Sequence, residues 1–192
     1  MIDAATRPND QFGYSVYVLA LLANAEIAEK VAKARDFIGA RRTMIDAHVT
    51  VRGTFHSIED LENLKKLLRS EAARHKPCHV RFSESTWDFI DRGNDFHLSI
   101  MRCEKSPELL SLHEALDDIV RPQSVNAYPS EYRAHLTLCE DITAEQLQRA
   151  REVAAATDIG TGFDADQVHL LGRVGPAYGG NWNLIESFKL SD

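Results

Sequence analysis

Ala47-His48-Val49-Thr50-Val51 and Ala134-His135-Leu136-Thr137-Leu138 share one pattern: a small residue, a histidine, an aliphatic residue, a threonine and a second aliphatic residue. Along an extended chain, alternate side chains point to opposite sides. Each segment therefore predicts a strand with an imidazole and a hydroxyl on one face and branched aliphatics on the other. The two histidines lie 87 residues apart, and the punctuation around them falls into near register. A helix-start signal follows His48 by nine residues at Ser57 and His135 by eight at Thr143, and a hairpin glycine follows them by 45 at Gly93 and by 44 at Gly179. A pattern of this length written twice predicts two similar lobes, since a solenoid needs three or more units.

Working outward from the motifs, Tyr14 to Leu22 is rich in β-formers, and Ile27, Val31, Ala34 and Ile38 then keep helical spacing up to Gly39. After the first motif strand, Ser57-Ile58-Glu59-Asp60 opens a helix carrying Leu61, Leu64, Leu68 and Ala72, which Pro77 ends. Strands over about 79–90 and 95–103 follow, joined by Asp91-Arg92-Gly93-Asn94 with hairpin-turn chemistry. Ser106-Pro107 starts the next helix, with Leu109, Leu112, Leu116 and Ile119, and Arg121-Pro122 closes it. The second motif strand leads to a capping box at Thr143-Ala144-Glu145-Gln146. Two final strands, 163–174 and 181–190, flank a turn-rich stretch from Gly175 to Gly180. The expected fold is α+β: one domain over 1–192, made of two pseudo-symmetric lobes with approximate repeats 14–93 and 95–180 and a last strand at 181–190. Two antiparallel sheets flanked by helices would enclose a central cleft.

Composition narrows the function. The chain has 192 residues, 44% hydrophobic and 27% charged, which is enough apolar material for one core and argues against wholesale disorder. The net charge is −7, and an acidic chain lacks the positive field that holds extended nucleic acid or an anionic membrane. Phosphate recognition must then be local. Cys78, Cys103 and Cys139 are far apart and form no C-x-x-C pair, which fits a reducing cytoplasm and suggests neither a zinc site nor a redox couple. The first residues carry no basic segment followed by an apolar run, so neither a signal peptide nor a membrane span is expected.

If a pseudo-twofold brings the motifs together, two imidazoles and two hydroxyls face one small ligand. Histidine titrates near neutrality, so a pair can act as general base and general acid in one turnover. Phosphodiester cleavage needs both. One histidine would deprotonate water or a ribose hydroxyl and the other would protonate the leaving oxygen. Thr50 and Thr137 would donate hydrogen bonds to the non-bridging oxygens, with no metal or other cofactor. Arg52 and Arg133 share the faces of His48 and His135 if those strands stay regular, and would add positive charge.

With these residues in place, the chain resembles the 2H phosphoesterase superfamily, which includes 2′-5′ RNA ligase-like proteins and cyclic phosphodiesterases. His48-Val49-Thr50-Val51-Arg52-Gly53 also matches the H-x-T-x-x-G form of the first motif, whereas the second motif has Glu140 in place of that glycine. The resemblance implies a bilobal α+β fold with the four motif residues lining its cleft. It also implies metal-independent cleavage of a 2′,3′-cyclic phosphate or a 2′-5′ linkage in a small nucleotide or RNA terminus. The alternative is a module that holds a nucleotide or RNA end in the same cleft without turnover.

Other residues read as structural. His97-Leu98-Ser99-Ile100 repeats the motif chemistry at a different place in the repeat, and Cys139 is a packed thiol. Tyr128, Tyr132, Tyr178 and Trp182 lie in or beside loops where an aromatic ring could stack on a base. Tyr132, just ahead of the second motif strand, is singled out as the possible substrate contact.

Overall fold

Each helix begins where a side chain accepts a bond from an otherwise unpaired backbone N–H. In the computed structural model, which describes residues 8–40, 45–83, 87–91, 97–126, 132–175 and 181–191, Asn24, Asp60, Ser106 and Thr143 cap α1 (Ala25–Ile38), α2 (Leu61–Ala72), α3 (Pro107–Val120) and α4 (Ala144–Ala156). Thr143 and Gln146 form the expected capping box. Gly39 ends α1 at φ 74°, a left-handed conformation open to glycine. The second helix starts a few residues later than Ser57 suggested, because the Asp60 carboxylate, not the Ser57 hydroxyl, takes the Asn63 N–H.

The strands are β1 (Val16–Leu22), β2 (His48–His56), β3 (Cys78–Arg81), β4 (Asp88–Asp91), β5 (His97–Arg102), β6 (Val125–Asn126), β7 (His135–Ile142), β8 (Gly162–Ala165), β9 (Gln167–Val174) and β10 (Asn181–Lys189). They pair antiparallel in the order β10-β9-β1-β2-β7-β5-β4, with β6 beside β2. The fold is α+β. The two sheets expected from sequence correspond to β10-β9-β1-β2 and β7-β5-β4, which meet edge to edge through one pair, Val49 opposite Leu136. Outward from that seam the order is symmetric: β2 is followed by β1 and β9, and β7 by β5 and β4.

Two expected strands are each divided. The run 79–90 separates into β3 and β4, and 163–174 into β8 and β9, because β3 and β8 leave the main sheet to pair with each other. The tip of the Asp91-Arg92-Gly93-Asn94 turn, the loop holding Tyr128, and Tyr178 with Gly179 lie outside the described residues.

The core forms on one side of the sheet. Val49, Val51, Leu136 and Leu138 are fully buried there beneath the apolar stripes of the helices. The helices cross over: α1 packs on α4 and β7, while α3 packs on α2 and β2. Among the described residues, no helix is long and apolar enough to cross a membrane.

Candidate active site

The seam register decides which groups meet. In an antiparallel ladder, moving one residue either way from Val49 and Leu136 sets His48 opposite Thr137 and Thr50 opposite His135. Val49 and Leu136 point into the core, so these four neighbours point to the other side, where all are half-buried. The structure therefore brings together the two histidines and two threonines of the motifs, each imidazole beside the hydroxyl of the other motif.

Both imidazoles are held in the same way. His48 Nδ1 lies 2.8 Å from the Asp46 carbonyl oxygen and His135 Nδ1 lies 2.7 Å from that of Arg133. A carbonyl only accepts, so each Nδ1 carries the proton and each neutral ring keeps its lone pair on Nε2. His48 is held neutral further still. Burial lowers its pKa to about 4, against the pull of the Asp46 carbonyl and with help from the charges of Arg35 and His135.

That shift has a consequence for stability. The free imidazole titrates near 6.5 and the folded one near 4, so between those values the unfolded chain binds a proton that the folded chain refuses. The stabilisation is complete above pH 6.5 and is lost as pH falls toward 4. We expect wild type to lose about 3–6 °C more in Tm than His48→Asn between pH 7 and pH 4.5, after discounting for partial exposure. Parallel losses in thermal melts of the two proteins would contradict this.

Arg52 does not join the site. The β1–β2 register slips between Leu19 and Ala20 and again between Tyr17 and Leu19, so β2 is not regular after Thr50. These bulges set Arg52 opposite core-facing Leu19, and its guanidinium is buried in an ion pair with Asp117 of α3, Nε to Oδ1 2.5 Å. Tyr132 is likewise on the helix side. Its ring stacks on His113 with centroids 4.1 Å apart, and together with Asp117 and Arg121 they line a cavity of about 480 Å³ behind the sheet. Arg133 is exposed just before β7 and contributes its carbonyl to His135.

Two cations that sequence reading missed stand near the motifs. Arg102 lies opposite His135 in the β5–β7 register, hence on the same side of the sheet, and pairs with Asp88. Arg35 of α1 donates from Nε to the Leu138 carbonyl at 2.8 Å, from Nη1 to Ile45 at 2.9 Å and from Nη2 to Thr137 at 2.9 Å. The signal for Arg35 was present: it lies four residues after Val31 and three before Ile38, on the apolar stripe. Trp182 is the described loop-side aromatic on the motif side, packed with Val18, Ala20 and Leu171, and the Arg173 guanidinium lies 5.3 Å from its ring centroid. His97 is buried beside Asp91 at the far end of β5, opposite Ile142. Burial pushes the Cys139 thiol up to about 12, which leaves it unreactive.

Comparison with known proteins bears on the family and the fold. The model of the 2′-5′ RNA ligase superfamily matches residues 23–177. No curated protein matches. Among solved structures, TT0787 of Thermus thermophilus superposes with a TM-score of 0.64 at 15% identity, covering 91% of this chain and 97% of that one. E. coli LigT complexed with 3′-AMP gives 0.60 at 14%, covering 92% and 98%. Kluyveromyces marxianus Usb1 gives 0.54 at 13%, covering 93% and 100%. At these identities the likeness is one of fold.

Proposed function

The chain belongs to the 2′-5′ RNA ligase superfamily, the 2H phosphoesterases, and from that premise we propose that it cleaves 2′,3′-cyclic phosphates or 2′-5′ phosphodiester linkages of small nucleotides or RNA ends. The observation that supports the proposal is the seam register: from it the two motif histidines and two motif threonines fall on one face of the sheet, each imidazole with Nδ1 turned to a backbone carbonyl.

The steps follow from the state of each ring. His48 is neutral across the neutral range, so its Nε2 lone pair takes the proton of the attacking water or hydroxyl. Protonated His135 gives a proton from Nε2 to the leaving ribose oxygen on the opposite side of phosphorus. The hydroxyls of Thr50 and Thr137 donate to the non-bridging oxygens, whose charge rises in the transition state. Arg102, opposite His135, adds positive charge on the motif face, the part expected of Arg52 and Arg133. That E. coli LigT has been crystallised with 3′-AMP, with ATP and with NADP+ supports a ligand of nucleotide size.

The test is hydrolysis of the four 2′,3′-cyclic nucleotides and of a 2′-5′ dinucleotide in excess EDTA. Turnover should persist in the chelator. Thr50→Val and Thr137→Val, which remove a donor while keeping shape, should each lower kcat about 100-fold. Loss of turnover in EDTA, or threonine variants within about threefold of wild type, would overturn the mechanism. Tight nucleotide binding by a folded wild type that turns over none of these esters would instead favour a binding module.

A further inference from the structure

Arg35 and His113 stand in the same spacing to apolar residues of their helices, Arg35 in the last turn of α1 and His113 at the middle of α3. Arg35 is four residues after Val31 and three before Ile38, and His113 is four after Leu109 and three before Leu116, each on a buried apolar stripe. They also act on corresponding atoms. His113 Nδ1 donates to the carbonyl of Val51 at 2.7 Å, and Arg35 Nε donates to the carbonyl of Leu138 at 2.8 Å. Val51 and Leu138 are the third residues after His48 and His135. The crossing of the helices produces this exchange: α1 braces the second motif strand and α3 the first.

The two braces differ in chemistry. His113 makes one bond to one strand. Arg35 makes three, two to Thr137 and Leu138 of the second motif and one to Ile45, three residues before His48. Its guanidinium thus spans the approach to β2 and the motif of β7, across a seam that has one register pair. All three acceptors are neutral carbonyls, and an arginine keeps its charge at any working pH.

We propose that Arg35 is a positioning residue of the site: its guanidinium ties the two motif strands together through three carbonyls, where the opposite helix offers an imidazole with one bond to one strand. The tie holds both imidazoles at the separation one phosphate can bridge. The charge adds to the burial that keeps a proton off His48. The groups that bear on this pair are Asp46, which partly offsets the guanidinium, Glu140 and Cys139 from β7, and His135. The inference rests on the proposed two-histidine cleavage for its kinetic half, and its titration half needs no substrate.

The test compares Arg35→Met and Arg35→Lys with wild type by NMR titration of the histidine side chains and by pH–rate profiles. In Arg35→Met the His48 titration and the acidic limb of kcat should both move upward, because a nearby cation is lost. Its kcat should fall at least about 30-fold with KM within about threefold. In Arg35→Lys an ammonium keeps the charge but cannot fork across three carbonyls. The His48 titration should then stay within about 0.3 unit while kcat falls about tenfold. A folded Arg35→Met with wild-type kcat overturns the proposal. If circular dichroism shows Arg35→Met unfolded, Arg35→Lys decides, and wild-type kcat in that variant overturns it. Absence of turnover in wild type would refute the proposed function alone, and the titrations would still judge the charge.

Discussion

His48→Ala and His135→Ala each lower kcat at least about 1,000-fold on whichever phosphodiester the wild type cleaves, with the fold and nucleotide affinity largely kept. The magnitude follows from what each ring does. A positioned general acid or base contributes roughly 10²–10⁴ in rate, and here each ring also approaches the threonine of the other motif, so its loss disturbs the phosphate contacts. The two losses should not multiply. With the base gone the acid has no partner step to complete, so the double variant should sit near the slower single variant. The pH profiles separate the roles. Wild type should give a bell whose acidic limb reports the neutral requirement of His48, lowered to about 4, and His48→Ala should lose that limb while keeping the other. Turnover within about tenfold of wild type in both single variants would end the two-histidine assignment.

The second large effect is on stability. Leu136 is fully buried, sits opposite Val49 at the seam between the two halves of the sheet, and belongs to the core that the helices cover. Leu136→Ala should cost about 2–5 kcal/mol, the sum of lost transfer energy and a cavity that only partly collapses. In a chain of this size that lowers Tm by about 5–15 °C. The same cavity lies directly behind His135 and Thr137, so kcat should fall before unfolding begins. A loss under about 1 kcal/mol in denaturant titration would mean that the halves are held by the crossed helices and not by the seam.

Much of this was legible in the sequence. The motif strands, the helical stripes of Ile27-Val31-Ala34-Ile38 and Leu109-Leu112-Leu116, and the capping box at Thr143 are local signals, and the structure places each where spacing set it. The pairing of the motifs was also readable, because a repeated strand with one polar face has few ways to bury the other. The failures share a cause in long-range geometry. Arg52 was assigned by alternation, and alternation stops at a bulge that only the β1 partner strand creates. Tyr132 stands close to His135 in sequence, but its ring stacks on His113 of α3. Arg102 reaches the site by pairing across strands, and Arg35, though marked by its place on the apolar stripe, finds its acceptors through a helix that packs on the other half of the sheet; those partners no single segment encodes.

The crossing of α1 and α3 also bears on how the chain is made. A ribosome that has delivered the first hundred residues has released α1 with its apolar stripe, but β7 and α4, which that stripe covers, begin at His135 and Ala144. Until they emerge, Ile27, Val31, Ala34 and Ile38 lack the part of their cover that β7 and α4 supply. Completing the cover of α1 therefore waits on chain made more than a hundred residues after the helix begins, a long-range closure that local helix formation cannot replace.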